Sequence, residues 1–466
     1  MTTSGPARDG RDGLRLSPFR GLRYVPDRVG SLAAVTSPPY DVVVRPDGLR
    51  HLETADPHNI VRLILPQAAG FADRNRQAAE TLRSWRAEGV LAADPEPALY
   101  VYEQCSGEFL QRGVIGALRL SPPEDGIVLP HEGVMQEIVE DRAGLMRETA
   151  ANLEPLLLTY RGNGGGVGAS AVIERTVHRP PLLSTTTEDG VSHRLWAVTD
   201  PAELAEAAAD LADHQALIAD GHHRWATYLR LRAEHDVPGP WDSGLVLLVD
   251  TARYPLRVRA IHRVLHRLPV GDAVAALQGA FRVRKVDGPL PRALEALAAA
   301  VEGAEPVEGA EPVEGAEPVE GAEGTEAREA TAAPAAFTAG ARNAYLLAGD
   351  GGFHLVDRPD PGLLARTVRA DRPEAWRTLD ATVLHSTLLE HVWQVPDSPD
   401  HIGYIHDVAA AVDKAERHGG TAVLMHPVRE EVVRELAQQG VTMPRKSTSF
   451  GPKPATGLVL RSLELG

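Results

Sequence analysis

The sequence contains one cysteine, Cys105, and no run of eighteen apolar residues. A single cysteine excludes an intramolecular disulfide and any zinc or iron–sulfur site built from several thiolates, and it is typical of a reducing compartment. The missing apolar run excludes a transmembrane helix. The first thirteen residues also lack the apolar core of a secretory signal. These absences predict a soluble cytoplasmic protein with no membrane partner.

Basic residues are fewer than acidic ones, 48 against 64, and the formal net charge is −16. Residues 301–330 hold ten Glu and one Arg, a net charge of −9 that leaves −7 for the rest of the chain. The rest is therefore mildly acidic, with no sign of a cationic surface. Because proteins bind nucleic acid largely by replacing phosphate counterions with Lys and Arg, the sequence predicts no nucleic-acid partner.

A low-complexity repeat interrupts the chain. Residues 301–323 repeat Val-Glu-Gly-Ala-Glu-Pro with a period of six. Proline blocks helix propagation, glycine raises the entropic cost of ordering, and valine is the only sizeable apolar side chain, so the segment cannot build a core. We predict a disordered acidic insertion over residues 301–334. Folded elements can flank it, because long surface insertions cost their host little stability.

Strand and helix patterns alternate along the rest of the sequence. Apolar residues at spacings of three and four predict helices at 73–88, 136–151, 201–213, 378–392, 406–418 and 428–439. Short apolar runs predict strands at 98–104, 113–120, 216–220, 244–250, 344–347, 352–356 and 421–426. The expected fold is a mixed α/β soluble globular protein. Its expected parts are a flexible N-terminus at 1–14, an α/β core at 15–300, the insertion, and an α/β part at 335–466 that closes on the core.

The most informative stretch is residues 216–229, in which an apolar run ends at Asp220-Gly221 and a helical pattern begins at His222. Gly221 allows the backbone to turn sharply and lets an anion approach the amides closely. The first turn of the helix then presents free N–H groups and the positive end of the helix dipole, with His222, His223 and Arg224 beside them. The pattern therefore predicts a phosphate site.

Two other interpretations of this stretch stay open. Asp220 can simply cap the helix while the two histidines and Arg224 lie on a solvated face. Asp and His are also metal ligands, although adjacent histidines point to different faces of a helix and no His-x-x-x-His spacing reinforces them.

Three further segments carry candidate ligand-binding groups. Two stiff prolines precede Tyr40 and Asp41, and a loop places His131 next to Glu132, an acid and a base. The C-terminal segment 443–458 combines cations and hydroxyls in a proline-stiffened stretch that includes Lys446, Ser447, Thr448 and Lys453. It lacks the glycine spacing of a P-loop, yet it is suited to close over an anion.

Together, these motifs resemble domain-of-unknown-function family 1015, a bacterial and archaeal family. The resemblance extends over nearly the whole chain and rests on segments in the family's order, at Pro18–Gly21, Pro38–Val42, His131–Glu132, Glu140–Arg142, Asp220–Arg224, His262–Arg263 and Met443–Leu458. Trp225 stands where the family usually has tyrosine, and Gly451 where it usually has an aromatic residue.

A more distant likeness links residues 220–228 to the Gly-x-x-Arg-x-x-Ala box of the ParB and sulfiredoxin superfamily, with Thr227 in place of the alanine. In that superfamily the box opens a helix that holds nucleotide phosphates, and some members are free-serine kinases that use ADP or ATP. The likeness implies a strand–turn–helix core of that type. By position, it also implies that Gly221 binds phosphate, Arg224 stabilises transferred charge, and Asp220 or Glu132 acts as base or metal partner.

The leading functional hypothesis is an enzyme that binds a nucleotide or phosphorylated metabolite and transfers a phosphoryl group to a small hydroxylated acceptor, such as an amino acid. ATP or ADP with Mg²⁺ is the cofactor it implies. One alternative is a metal-dependent hydrolase that uses Asp220, His222, His223 and His131. The other is a non-enzymatic nucleotide-binding regulator of the ParB type.

Overall fold

A computed structural model describes residues 13–43, 46–164, 166–302 and 343–465. The chain forms two compact units. Unit 1 contains the described residues up to Arg257, then Val433–Thr442 and the residues from Phe450 onward. Unit 2 contains the described residues of Val258–Val432 together with Met443–Ser449. The chain therefore leaves unit 1 twice and returns to it twice.

These boundaries differ from those suggested by the sequence. The division falls after Arg257, so both flanks of the acidic repeat belong to unit 2. The predicted insertion at 301–334 lies outside the described residues except for Val301 and Glu302, which end a helix. Of the predicted flexible terminus, residues 1–12 also lie outside them, whereas Leu14 is fully buried and donates its N–H to the carbonyls of Leu211 and His214.

A nine-stranded mixed sheet forms the centre of unit 1. Its strands are β1 (Leu16–Ser17), β2 (Leu99–Ser106), β3 (Phe109–Arg119), β4 (Val128–Leu129), β5 (Leu156–Tyr160), β6 (Leu183–Thr186), β7 (Ser192–Val198), β8 (Ala216–Asp220) and β9 (Ser243–Asp250). The order is β4-β8-β5-β9-β3-β2-β7-β6, with β1 paired to β3. In β9 every residue from Gly244 to Asp250 is buried, as its unbroken apolar run predicts for a strand covered on both faces.

In the described part of unit 1, eight α-helices precede β9. They are α1 (Leu32–Val35), α2 (Pro46–Ala55), α3 (Val61–Ile64), α4 (Phe71–Ala87), α5 (Gln136–Thr149), α6 (Ala169–Thr176), α7 (Pro201–Leu211) and α8 (His222–Arg232). One core cluster joins the apolar sides of α5 to α8 to the large sheet. A second cluster lies between α3, α4 and a four-stranded sheet made of Gly21–Tyr24, Leu91–Ala93, Ala151–Asn152 and Leu460–Ser462.

Unit 2 is built on a six-stranded antiparallel sheet. In spatial order its strands are Arg282–Val286, Gly352–Asp357, Tyr345–Gly349, Thr421–Met425, His262–Leu265 and Ile402–Ile405. The helices are Val270–Ala275, Leu290–Glu302, Pro361–Thr367, Glu374–Arg377, Asp380–Val383, the π-helix Leu384–Val392 and Val408–His418. A further helix, Glu430–Gln438, contains one of the points where the chain changes unit.

The predicted mixed α/β fold is confirmed, and within it the strand–turn–helix at residues 216–232 forms as predicted. β8 ends at Asp220, Gly221 is the turn, and α8 begins at His222. Among the described residues, no helix combines the length and apolar character needed to cross a membrane.

Candidate functional site

The turn between β8 and α8 is built around Gly221. Its φ is +100°, in the left-handed region, and it is the N-cap residue of α8. A Cβ at this position would meet Leu156 Cγ of β5 at 2.8 Å, so both the dihedral angle and the space favour glycine. Gly221 has no side chain that could accept hydrogen bonds from the amides of the first turn of α8.

We expect Gly221→Ala to destabilise unit 1 by about 1–3 kcal/mol, because alanine must adopt a positive φ and displace Leu156. Gly89→Ala is a matched control, since Gly89 also has a positive φ of +72° but open space around the missing Cβ. Urea denaturation of both variants measures the difference. An equal loss in the two would mean that the contact with Leu156 adds nothing.

Arg224 lies beneath this turn and is 4% exposed. Its Nη2 donates to Asp220 Oδ2 at 2.7 Å and its Nη1 to the Pro155 carbonyl at 3.2 Å, while Nη1 lies 3.9 Å from Glu154 Oε2. Burial acts to lower the pKa of the guanidinium, but Glu154 and Asp220 outweigh it and raise the pKa. Arg224 therefore ties α8 to β8 and to the two residues before β5, and the alternative that it lies on a solvated face is wrong.

The two adjacent histidines hold a loop from the neighbouring strand. β4 runs parallel to β8, so the residues that follow it lie beside the start of α8. His222 Nε2 accepts the N–H of His131 at 3.3 Å, and His223 Nε2 accepts the N–H of Met135 at 3.1 Å. This loop carries Glu132, which is half-buried.

An acceptor nitrogen must be unprotonated, so these contacts require neutral imidazoles at Nε2. Burial, with smaller effects from His131, His223 and Lys453, lowers the pKa of His222 well below its usual value, and burial lowers that of His131 to about 4. His222 therefore adds no positive charge to the site. Its ring instead packs edge-on against His131, with centroids 4.5 Å apart.

Acid is expected to destabilise unit 1. As the pH falls from about 6.5, the ordinary His pKa, towards 4, the unfolded chain binds protons that folded His131 does not, so the free energy of unfolding decreases. His193, whose pKa burial also lowers to about 4, acts in the same direction. Urea midpoints at several pH values test this expectation. His131→Gln should flatten the pH dependence, and an unchanged dependence in this variant would contradict the expectation.

Lys453 brings a cation to the amino end of α8. Its Nζ lies 2.5 Å from Asp220 Oδ1, and it also donates a hydrogen bond to Asp41 Oδ2. Burial acts to lower the pKa of the ammonium, but Asp220 and Asp41 outweigh it and raise the pKa. The ammonium is thus held protonated between two carboxylates, one on each side. The other residues proposed from the C-terminal segment, Lys446, Ser447 and Thr448, belong to unit 2.

A buried carboxylate, Glu154, holds the segment of Tyr40 and Asp41 at the site. Glu154 was not among the residues predicted from the sequence. The Tyr40 N–H and the Thr456 hydroxyl both donate to Glu154 Oε1, at 2.9 and 3.3 Å. Burial raises the pKa of Glu154 despite the opposing effect of Arg224. The only sequence signal for Glu154 is that it is the single charged residue in the run from Ala151 to Tyr160.

The assembled site nearly balances its charges. Asp41, Asp220 and Glu154 are compensated by Lys453 and Arg224, and the Arg142 guanidinium lies 4.5 Å from the centre of the Tyr40 ring. Lys453 and Asp41 are the partly exposed members, with side chains 21% and 36% exposed. In the described part of the chain, no group of three His, Cys, Asp or Glu residues is arranged to hold a metal ion. The surface that can meet a ligand is therefore the ammonium and the first turn of α8.

Several solved structures are similar to the chain at low identity. A free serine kinase in complex with AMP is 14% identical, and the match covers 76% of this chain and 93% of that one, with a TM-score of 0.34. A conserved hypothetical protein from Pyrococcus furiosus is 14% identical, covering 76% and 97%, with a TM-score of 0.33. SbnI from Staphylococcus aureus is 11% identical, covering 72% and 82%, with a TM-score of 0.31. TM-scores this low do not establish a shared function.

No curated protein matches the chain. One protein family does, and it is described as protein of unknown function DUF1015. The match extends over residues 16–382, which include all of the large sheet of unit 1 and the β8–α8 turn. The chain is therefore a member of the DUF1015 family.

Proposed function

We propose that unit 1 binds a nucleotide or phosphorylated metabolite at the amino end of α8 and transfers a phosphoryl group to a small hydroxylated acceptor, such as an amino acid. The observation that carries this proposal is the position of Lys453 Nζ, 2.5 Å from Asp220, directly before the first turn of α8. The distant likeness of residues 220–228 to a nucleotide-phosphate box favours the same chemistry.

The first turn of α8 supplies the backbone part of the phosphate site. Four N–H groups at the start of any α-helix have no partner within the helix, and the helix dipole adds partial positive charge there. At α8, the glycine N-cap provides no side-chain acceptor for these groups. Because Gly221 has no Cβ, a phosphate oxygen can approach the amides of His222 and His223 closely.

Lys453 supplies the positively charged side chain of the proposed phosphate site. An ammonium has three N–H donors, and two carboxylates, Asp41 and Asp220, already orient it. The third donor is suited to a phosphate oxygen and to the charge that develops on it during transfer. Arg224 acts behind this contact, since it is buried and holds Asp220 in place. We thus assign Arg224 a positioning role instead of the direct phosphate contact that the sequence suggested.

Asp41 is the best-placed group to receive the acceptor's proton. Asp220 is held by both Arg224 and Lys453, whereas Asp41 pairs only with Lys453 among the described residues and its side chain is 36% exposed. In the proposed step, the acceptor oxygen bonds to phosphorus and its proton passes to the Asp41 carboxylate. The bond from phosphorus to the leaving nucleotide oxygen breaks, and Lys453 compensates the charge on the phosphoryl oxygens.

Asp41 and Asp220 would hold a divalent ion only together with the phosphates of a bound nucleotide. Carboxylates such as Asp41 and Asp220 are the oxygen ligands that Mg²⁺ prefers, and Mg²⁺ is commonly held by one or two carboxylates plus substrate phosphates. No described group of three potential ligands could hold an ion without such phosphates. When bound, Mg²⁺ would neutralise phosphate charge. A pair of carboxylates that needs substrate phosphates to complete the coordination of an ion favours phosphoryl transfer over the alternative of a metal-dependent hydrolase.

Binding and turnover need separate measurements. Isothermal titration of the full chain with ADP, ATP and AMP, each with and without Mg²⁺, tests binding. Phosphorus NMR with ATP or ADP and free serine, threonine or homoserine then tests transfer. We expect nucleotide binding and the appearance of a phosphomonoester signal. Binding without turnover would instead support the nucleotide-binding regulator, and absence of binding to every nucleotide would contradict the proposal.

A further inference from the structure

The segment that carries Lys453 crosses the hairpin formed by β2 and β3. On this hairpin, Tyr102 and Gln104 are two residues apart on β2 and therefore face the same side, and Gln111 of β3 is the direct partner of Gln104. All three polar side chains are at most 3% exposed. Buried polar groups of this kind must be satisfied by specific partners, and each of the three has a partner on the segment from Pro452 to Ala455.

Two glutamines hold the beginning of that segment. Gln104 Nε2 and Gln111 Nε2 both point to the Pro452 carbonyl, at 3.2 and 3.4 Å. Gln104 Nε2 also donates to Gln111 Oε1 at 2.6 Å, which couples the two amides. The carbonyl immediately before Lys453 is therefore fixed by the central sheet.

Tyr102 holds the end of the segment. Its hydroxyl accepts the Ala455 N–H at 3.2 Å and lies 2.8 Å from His193 Nδ1. On the other side of the His193 ring, Nε2 lies 3.1 Å from the hydroxyl of Thr187, which donates to Asp189 at 2.6 Å.

These contacts have one consistent direction. Because Thr187 gives its proton to the Asp189 carboxylate, it accepts from His193 Nε2–H, which leaves His193 Nδ1 to accept the proton of Tyr102. The tyrosine oxygen is then free to accept the Ala455 N–H. A hydrogen-bonded chain that ends on a carboxylate strengthens each of its members. The Tyr102 hydroxyl is thereby locked in the orientation that receives Ala455.

Only Lys453 and Pro454 lie between Pro452, whose carbonyl the two glutamines hold, and Ala455, whose N–H binds the Tyr102 hydroxyl. The next residue, Thr456, exchanges both backbone hydrogen bonds with Ser37, at 2.8 and 3.1 Å, just before the prolines that lead to Asp41. We propose that Tyr102, Gln104 and Gln111 are positioning residues that hold the Lys453 ammonium between Asp41 and Asp220. Their effect on catalysis rests on the proposed function, whereas their effect on the ammonium itself does not.

Amine acylation measures the position of Lys453 without any ligand. The sequence has four lysines, 285, 414, 446 and 453, so peptide mapping after brief treatment with acetic anhydride resolves each of them. In the wild type, Lys453 should react far more slowly than the exposed Lys285, because only an unprotonated amine acylates. Tyr102→Phe should raise the rate at Lys453 about tenfold, the effect of lowering an amine pKa by one unit.

Tyr100→Phe is the matched control. Tyr100 is also buried on β2, and its hydroxyl also accepts a backbone N–H, from Gly21, and donates to a carboxylate, Asp94. Both variants lose one buried hydroxyl that accepts a backbone N–H and donates one hydrogen bond, so Tyr100→Phe controls for the general loss of stability. Acylation of Lys453 should change only in Tyr102→Phe. An unchanged rate at Lys453 in a folded Tyr102→Phe variant would overturn the proposal.

Gln111→Met provides a second route if Tyr102→Phe does not fold. It removes one donor to Pro452 and the acceptor of Gln104, and it should also accelerate acylation of Lys453. In the transfer assay, either variant should lower kcat by about ten- to hundredfold with little change in the KM of the acceptor, because a misplaced ammonium acts on the transferred group. If the wild type binds no nucleotide, the proposed function fails, and the acylation rates still decide the role of the three residues.

Discussion

Lys453→Met is expected to weaken nucleotide binding by about 10- to 150-fold, the equivalent of the 1.5–3 kcal/mol typical of a charge-assisted hydrogen bond. Methionine keeps much of the length and the apolar stem of lysine but removes the partly exposed cation that pairs with Asp220. It also leaves Asp41 and Asp220 as neighbouring negative charges, which repel an incoming phosphate. Titration calorimetry with the nucleotide that binds the wild type measures the loss.

Lys285→Met is the control for this experiment. Lys285 belongs to unit 2, and its side chain is 68% exposed. Its replacement changes the net charge of the protein by the same amount, so it should leave nucleotide affinity unchanged. Equal affinities for the wild type and Lys453→Met would contradict the phosphate-binding role of Lys453 and, with it, the proposed function.

Arg224→Met is expected to lower the free energy of unfolding by about 3–5 kcal/mol, the usual cost of removing one partner from a buried ion pair. Asp220 would keep Lys453, but Glu154 and the Pro155 carbonyl would lose their buried guanidinium. Arg224→Lys should recover part of the loss, because a lysine restores the charge without the planar arrangement of donors. Chemical denaturation followed by circular dichroism measures both variants.

Arg230→Met serves as the comparison on the same helix. Arg230 pairs with Glu140 and Glu234 on the partly exposed side of α8, where ion pairs contribute little to stability. We expect only a small change for this variant. If Arg224→Met were as stable as Arg230→Met and had lost ligand binding alone, Arg224 would be a ligand contact and our positioning role for it would be wrong.

The sequence predicted the location of the turn well and the roles of its side chains less well. The strand and helix around Gly221 follow from local patterns, an unbroken apolar run and apolar spacings of three and four. Arg224 is buried beside two carboxylates. Asp220 is its i, i+4 neighbour, and local spacing could have predicted that pair. Glu154 lies seventy residues earlier in the sequence, and local spacing could not have predicted that contact. His222 and His223 accept backbone N–H groups from the loop that follows β4, and no local pattern specifies such partners.

The division into units was beyond sequence reasoning for a related physical reason. The acidic repeat is the sharpest change of composition in the chain, so it was the natural place to expect a boundary. Compactness, however, depends on which strands pair, and the strand Leu460–Ser462 pairs with Gly21–Tyr24 across more than four hundred residues. Neither segment has a sequence pattern that would predict its pairing with the other.

This long-range pairing has a consequence for synthesis. Domains usually fold in the order in which they leave the ribosome, the N-terminal one first. Unit 1 cannot follow that rule, because its small sheet lacks a strand, and α8 lacks Lys453, until the whole of unit 2 has been translated. A nascent chain that stops short of residue 450 therefore presents Asp41 and Asp220 without their shared cation. The proposed phosphate-binding surface is completed only when the segment that carries Lys453 has been translated, so under the proposed function a chain that stops before this segment is inactive.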